Sequence, residues 1–268
     1  RPGLKGKINI AYCPERVLPG NVIYELEHND RVIGGLDEQS TIASQNFYRH
    51  FVKGELHATN AKTAEMCKLA ENSSRDVSIA FANELSMICD KADINVWELI
   101  NLANKHPRVN ILQPGTGVGG HCIAVDPWFI VSEFKKEAVI IRNAREINNY
   151  KTDWVIEKIK STALQFELDN NRKPTIALMG LAFKPDIDDL RESPALLVAD
   201  TLLTENKYDL LLAEPNLEES KKYNLTDYEL LNGKVDIVVY LVAHKEFRGF
   251  RTESLVLDFC GVKSNYFE

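Results

Sequence analysis

Between Pro114 and Trp128 the chain reads Pro-Gly-Thr-Gly-Val-Gly-Gly-His-Cys-Ile-Ala-Val-Asp-Pro-Trp. Four glycines in six positions let the backbone approach a ligand closely, and they run straight into the thiol of Cys122, with the carboxylate of Asp126 four residues on. Cysteine is the most nucleophilic side chain near neutral pH. Its thiolate adds to an aldehyde to give a thiohemiacetal, which becomes a thioester on loss of hydride. A turn or helix start after Cys122 would bring Asp126 near the sulfur, where a carboxylate can orient water for thioester hydrolysis. The same residues also suit a glycine-rich turn followed by a buried structural cysteine, because free cysteine is among the most buried residue types.

Three further groups could do chemistry. Pro14-Glu15-Arg16 follows the strand-like run 8–12, and the carboxyl ends of strands in open α/β sheets are where ligand-contacting groups sit. Glu15 there can act as a base or hold a water, or it can simply pair with Arg16 in an exposed loop. Lys68 and Asn72 stand four apart on a helical pattern, so an ammonium and an amide point the same way and could stabilise an oxyanion; the alternative is a solvated polar face shared with Asp76 and Asn83. Lys184 and Arg191 flank an acidic turn, Asp188-Asp189, and could reach a phosphate or form a surface ion-pair network. His121 is read as a shaping residue, packed or hydrogen-bonded, because adjacent residues in an extended loop project in opposing directions. His106 and His121 are isolated from each other, His121 has only the adjacent Cys122 beside it, and no cluster of carboxylates or thiols supplies ligand spacing, so no metal site is expected.

Elements to position these groups can be read from periodicity. Short strands are expected at 8–12 and 31–35, and a helix over 37–53 that starts at Asp37 with Ile42, Phe47 and Phe51 on its apolar side. Asn60 is a fair N-cap for a helix over 61–92, about 45 Å long, whose apolar stripe runs through Met66, Ala70, Val77, Phe81, Leu85 and Ile88. A second short helix at 95–105 closes at His106-Pro107. A long helical region at 138–168, with Ile141, Ala144, Ile147, Val155, Ile159 and Ala163 at helical spacing, reads as a connector and ends in the polar turn 169–174. The remainder alternates strand and helix: 175–180, a helix at 193–205, 209–213, a loop with a short helix, 235–242 and 255–259. Near-continuous apolar strands between helices predict a parallel sheet covered on both faces, a Rossmann-like domain. Its first turn, Gly180-Leu181-Ala182-Phe183-Lys184, lacks the spaced glycines that grip a dinucleotide pyrophosphate. The expected class is thus α/β: the end of an N-terminal α/β domain at 1–59, a central long-helix dimerisation domain at 60–172, and a C-terminal Rossmann-like domain at 173–268.

Bulk properties bound the function. The chain has 268 residues and a formal charge of −7, which disfavours a general nucleic-acid binder. Its five cysteines, an odd number without paired spacing, suit a reducing compartment, and no apolar run of membrane-spanning length is present. These features predict a cytoplasmic protein that binds neither nucleic acid nor membrane. The chain starts at Arg1 and enters a strand-like run within a few residues, which reads as a piece of something longer.

Four stretches, Tyr12–Gly20, Lys68–Asn72, Gly117–Phe129 and Phe183–Pro194, resemble the UDP-glucose/GDP-mannose dehydrogenase family in the same order. They span nearly the whole chain, and the resemblance implies that 1–59 is the C-terminal remnant of the family's amino-terminal NAD-binding domain. The resemblance implies NAD-dependent four-electron oxidation of the C6 alcohol of a sugar nucleotide to the uronate. The wording around Cys122 points to UDP-N-acetylmannosamine, with UDP-glucose, UDP-N-acetylglucosamine and GDP-mannose as alternatives on the same framework. It implies Cys122 as nucleophile, Lys68 and Asn72 as oxyanion stabilisers, Asp126 and Glu15 as managers of protons and water, Gly119, Lys184 and Arg108 as substrate contacts, and Arg191 as a contact to NAD. It also implies a homodimer through the central helix, Arg108 reaching the partner's ligand. One departure is Pro19, where UDP-glucose dehydrogenases carry a second glutamate. A reading from a different class is a catalytically silent sugar-nucleotide-binding and dimerisation module.

Overall fold

The computed structural model describes residues 8–17, 21–217 and 222–264. Pro19 lies outside them. The chain divides into two compact units, Arg1–Asn72 and Ser73–Glu268.

The first unit is built on a three-stranded sheet in the order β1-β2-β3. Strand β2 (Arg31–Gly35) falls where the sequence places it and pairs antiparallel with β1 (Ala11–Tyr12) and parallel with β3 (Leu56–Asn60). β1 is shorter than the expected run 8–12, because Ile10 donates its amide to Ser40 Oγ (3.1 Å) and Ile8 and Ile10 stay exposed. Helix α1 (Val22–His28) buries none of its residues, so no apolar stripe announces it. Helix α2 (Glu38–Tyr48) starts as expected, with Asp37 accepting the Ser40 amide at 2.7 Å, but ends at Tyr48, short of residue 53. Its expected apolar side is wrong. Ile42 and Phe47 are exposed, while Ser40 and Thr41 are buried; Thr41 seats the helix by accepting the Gly35 amide at 2.9 Å.

Helix α3 (Ala61–Lys91) is capped by Asn60, which accepts the Thr63 amide at 2.9 Å, and it contributes to both units. Its length is as predicted, but two residues of the face read as solvated are buried. Phe81 and Ile88 on the apolar stripe are 54 and 56% exposed, whereas Asp76 and Asn83, expected on a solvated face, are fully buried. The buried side is otherwise small: Ala64, Ser73, Ala80, Ala82, Ser86 and Cys89.

In the second unit α3 is followed by α4 (Val96–Ala103), capped by Asn95, then by α5 (Asp126–Glu133), α6 (Val139–Asn170) and α7 (Pro194–Glu205). α6 covers the predicted 138–168, and Ala144, Val155, Ile159 and Ala163 are buried as their spacing requires. α7 opens on Ser193, whose Oγ accepts the Leu196 amide at 3.2 Å, with Pro194 at the first helical position. The four strands β4 (Thr175–Met179), β5 (Asp209–Ala213), β6 (Ile237–Tyr240) and β7 (Leu255–Asp258) form an all-parallel sheet in the order β5-β4-β6-β7. Alternate residues feed two cores. Ile176, Leu178, Ile237 and Val239 pack against α6 and α7. Ala177, Met179, Val238 and Tyr240 pack against Leu231 and Phe247 from two 3₁₀ turns, Tyr228–Leu231 and Lys245–Gly249, so the second face is covered by turns where helices were expected.

Candidate active site

The glycine run is pinned from three sides within the second unit. Gly115 donates its amide to the buried Asn83 Oδ1 of α3 at 2.9 Å, and Thr152 Oγ1 of α6 donates to the Thr116 carbonyl at 3.0 Å. Thr116 Oγ1 in turn donates to the Leu241 carbonyl just past β6, at 2.6 Å. Downstream, the loop is pressed onto the segment that precedes α7. A Cβ on Gly119 would stand 2.3 Å from the Glu192 carbonyl oxygen and 2.7 Å from Pro194 Cδ, and one on Gly120, at φ +83°, would meet the Phe183 ring at 2.9 Å. Glycine at 119 is therefore a contact requirement. No side chain fits between the two backbones.

The run delivers Cys122 half-buried, directly before α5. The Cys122 carbonyl accepts the amides of Val125 (3.0 Å) and Asp126 (2.8 Å), so a turn joins the thiol to the first residue of the helix, the condition under which Asp126 lies near the sulfur. Gly120 also donates to the carbonyl of Arg191 at 3.3 Å. Arg191 is 64% exposed and fastened to Asp189 at 2.6 Å. Those hydrogen bonds hold Asp189 down at about 2 and raise Arg191. His121 is exposed rather than packed.

Behind the loop lies a cavity of about 560 Å³. Its walls are Gly115–Gly117, Ala182 and Phe183 after β4, Leu241–Ala243 after β6, and Gly261 after β7, with Arg75 and Arg248 at its edge. In the order β5-β4-β6-β7 the chain moves outward from β4 to β5 and then crosses to β6 on the other side, so the crevice beyond β4 and β6 is the topological switch point where open parallel sheets bind ligands. The turn after β4 does not grip a dinucleotide. The amides of Leu181 and Ala182 are already taken by the buried Glu214 carboxylate at 2.7 and 2.9 Å. Burial works to raise the Glu214 pKa, but the bonds from His244 and those amides leave it lowered. Lys184 stands exposed beyond this turn, and Arg108 is exposed ahead of the glycine run.

The remaining expected site residues belong to the first unit. Glu15 Oε2 is 3.4 Å from both terminal nitrogens of the buried Arg31, and Glu15 Oε1 accepts the Arg16 amide at 2.8 Å. The side-chain pair with Arg16 does not form, since that guanidinium is taken by Glu71. Lys68 and Asn72 sit half-buried one helical turn apart on α3.

Sequence reasoning missed Arg75, Arg248 and the ends of β6 and β7, although the carboxyl ends of predicted parallel strands were the available signal. It also missed Asp186, His244 and Glu246, whose ligand atoms lie within 4.8 Å of one another. His244 has no nitrogen to spare for an ion: Nδ1 accepts from the Asp186 amide (3.0 Å) and faces the Asn216 amide nitrogen (2.9 Å), and Nε2 faces Glu214 at 3.1 Å. Among the described residues no helix is long and apolar enough to cross a membrane.

Three family profiles match the chain: UDP-glucose/GDP-mannose dehydrogenase family, NAD binding domain, at residues 2–52; central domain at 62–150; and UDP binding domain at 177–263. The UDP-N-acetyl-D-mannosamine dehydrogenase of Campylobacter jejuni is 54% identical over 260 residues, 94% of this chain and 62% of the relative. The NDP-N-acetyl-D-galactosaminuronic acid dehydrogenase of Ralstonia nicotianae is 52% identical over 94% of this chain and 60% of its own length. Among solved structures, a UDP-D-ManNAc dehydrogenase from Pyrococcus horikoshii superposes with a TM-score of 0.81 at 36% identity, covering 95% of this chain and 62% of that one. The chain thus spans about three fifths of the length of these relatives. With all three profiles falling in order along a helical core and a parallel sheet that meet at a glycine-held thiol, the chain belongs to the UDP-glucose/GDP-mannose dehydrogenase family.

Proposed function

We propose that this chain is the catalytic-cysteine and UDP-binding portion of an NAD-dependent UDP-N-acetyl-D-mannosamine 6-dehydrogenase. The observation that carries the reading is the double duty of one loop: residues 115–117 wall the switch-point cavity, and the same loop ends on Cys122. A nucleotide held in the cavity would have its sugar directed along the loop toward the thiol. The cavity's volume falls within the ordinary range for small-molecule sites, and Arg75 and Arg248 at its edge suit a diphosphate.

In this mechanism Cys122 Sγ captures the C6 aldehyde as a thiohemiacetal, and water later releases the uronate from the thioester. Lys68 and Asn72 stabilise the oxyanions. Asp126, one turn from the thiol, and Glu15, held by Arg31, take up and return protons and orient the water. Gly119 lets the loop lie close under the sugar, Lys184 meets a phosphate, and Arg108 reaches the ligand of a second copy. NAD supplies the hydride acceptor for both oxidations when bound; Arg191, exposed and with its backbone carbonyl bonded to Gly120 of the cysteine loop, is the group of this chain that meets it. The exposed apolar stripe of α3 is the surface through which two copies pair, and the protein works in the cytoplasm.

The test is NADH formation by a polypeptide of the relatives' full length that contains this chain, offered UDP-N-acetylmannosamine, UDP-N-acetylgalactosamine, UDP-N-acetylglucosamine, UDP-glucose and GDP-mannose. The reading requires two NADH per sugar and the highest kcat/KM for UDP-N-acetylmannosamine. Preference for the galactosamine sugar would move the substrate to the galacto series, the series that appears in the name of the Ralstonia relative. Turnover of none, with UDP still bound, would leave the silent binding module.

A further inference from the structure

The polar groups buried between α3 and α6 form a single directed chain that ends on the glycine loop. Gly115 N–H donates to Asn83 Oδ1 (2.9 Å), Asn83 Nδ2 to Asn148 Oδ1 (2.9 Å), and Asn148 Nδ2 to Asp76 Oδ1 (2.8 Å), where Arg145 also donates (2.7 Å). Asp76 and Asn83 are fully buried, and Asn148 and Arg145 nearly so. Both carboxamides are oriented from the ends. A backbone amide can only donate, so Asn83 must turn its oxygen to Gly115; an ionised carboxylate can only accept, so Asn148 must turn its nitrogen to Asp76. Each bond then polarises the next in a low-dielectric interior, and the acceptor offered to Gly115 is strengthened by the anion at the far end.

Helix packing alone does not call for such a chain. Replacing it with apolar residues of similar volume would avoid burying an ion pair, whose desolvation often exceeds its attraction. What it does do is anchor the start of the loop, ahead of the bonds at Thr116 and Gly120. Gly115 is the start of the segment that walls the cavity and ends on Cys122, and glycine-rich backbone is the most entropically costly to hold still.

From this geometry we infer that Asn83 and Asn148 are positioning residues: the carboxamide pair, anchored on Asp76 and Arg145, sets the place of the glycine loop and so couples nucleotide binding in the cavity to presentation of the Cys122 thiol. The catalytic half of this inference rests on the dehydrogenase reading above. The binding half does not.

The experiment has two arms. In the 268-residue chain, hydrogen exchange at the Gly115 amide and UDP affinity are measured for the native sequence, Asn83→Ala, Asn148→Ala and the double variant. Asn83→Ala is expected to speed Gly115 exchange at least 10-fold relative to α6 amides and to weaken UDP binding about 10-fold, while Asn148→Ala gives the same pattern at smaller size. In the double variant the second substitution is expected to add little, because both act through one chain. In the full-length enzyme the same variants lower kcat about 10 to 100-fold, more than they raise KM. Asn83→Asp keeps the oxygen that Gly115 uses but loses the donor to Asn148 Oδ1, so it should weaken UDP binding at least as much as Asn148→Ala does, and it serves if Asn83→Ala does not fold. Unchanged Gly115 exchange, additive effects in the double variant, or a fall in melting midpoint with UDP affinity intact would overturn the inference. If exchange and UDP affinity respond as stated but the native enzyme oxidises no sugar nucleotide, the dehydrogenase reading fails and the positioning role stands.

Discussion

Substituting Gly119 by alanine tests the seat of the catalytic loop with a single methyl group. The new Cβ would stand 2.3 Å from the Glu192 carbonyl oxygen, 2.7 Å from Pro194 Cδ and 2.9 Å from Phe183 Cβ. Ordinary contact begins near 3.4 Å, so the loop and the segment before α7 must part by about 1 Å. Rotation of a side chain cannot relieve this, since the nearest atom is backbone. Overpacking of this kind costs about 1–3 kcal/mol. In a unit of this size that corresponds to a fall of about 2–12 °C in melting midpoint. The displaced loop carries Cys122, and a misplacement of about 1 Å at a reacting centre is worth roughly 10²-fold in kcat. Differential scanning fluorimetry with and without UDP, followed by turnover, measures both effects. Gly115→Ala is the internal control: its Cβ meets nothing nearer than the Gly117 carbonyl oxygen at 3.9 Å, so its midpoint should stay within about 2 °C. Equal midpoints for the native chain and Gly119→Ala, with turnover preserved, would refute the close seating of loop on segment.

Further expectations concern other parts of the molecule. Lys68→Ala should lower the chemical step by about 10² to 10³ with little change in sugar-nucleotide affinity, the loss typical of removing one oxyanion donor; weakened binding with an intact single-turnover rate would return Lys68 to a merely polar face. Lys151 is buried, donates to Ser86 Oγ at 2.8 Å, and is lowered to about 7 chiefly by burial, with Asp90 opposing the shift. The unfolded chain keeps that proton up to about 10.5, so between about 7 and 10.5 it binds more protons than the folded state and stability rises with pH. Lys151→Met should therefore raise the melting midpoint at pH 6.5 and lose that advantage by on the order of 1 kcal/mol per pH unit toward pH 9; an advantage independent of pH would contradict this. The 268-residue chain should sediment as a dimer at micromolar concentration, and Phe81→Glu, which puts a charge on the exposed stripe of α3, should shift it to monomer; a monomeric native chain would remove α3 as the interface.

Much of this arrangement was legible in the sequence, and the failures share a cause. The parallel sheet could be read because Thr175–Met179 and Ile237–Tyr240 are buried on both faces, which demands unbroken apolar runs. β3 could not. Leu-His-Ala-Thr-Asn alternates nothing, since three of its five side chains are exposed. The helical period of α3 was correct, and what failed was the reading of its polar side as solvated. Asp76 and Asn83 looked solvated because their partners Arg145 and Asn148 lie 69 and 65 residues away, a distance over which spacing carries no signal. At the site, the glycine run before Cys122 was read as close approach to a ligand, and what Gly119 meets in the fold is the backbone of Glu192. The cavity was hidden for the opposite reason: apart from the glycine run, its walls come from α3 and three strand ends far apart in sequence, none distinctive alone.

The central claim is that Cys122 carries the sugar as a covalent intermediate. Full-length enzyme mixed with UDP-N-acetylmannosamine and NAD, quenched in acid within one turnover and digested, should yield the peptide bearing Cys122 with the mass of an acyl adduct, while the peptides of Cys13, Cys67, Cys89 and Cys260 stay unmodified. Cys122→Ser should give no adduct and no uronate. An unmodified Cys122 peptide during active turnover, or uronate formed at a near-native rate by Cys122→Ser, would contradict the account.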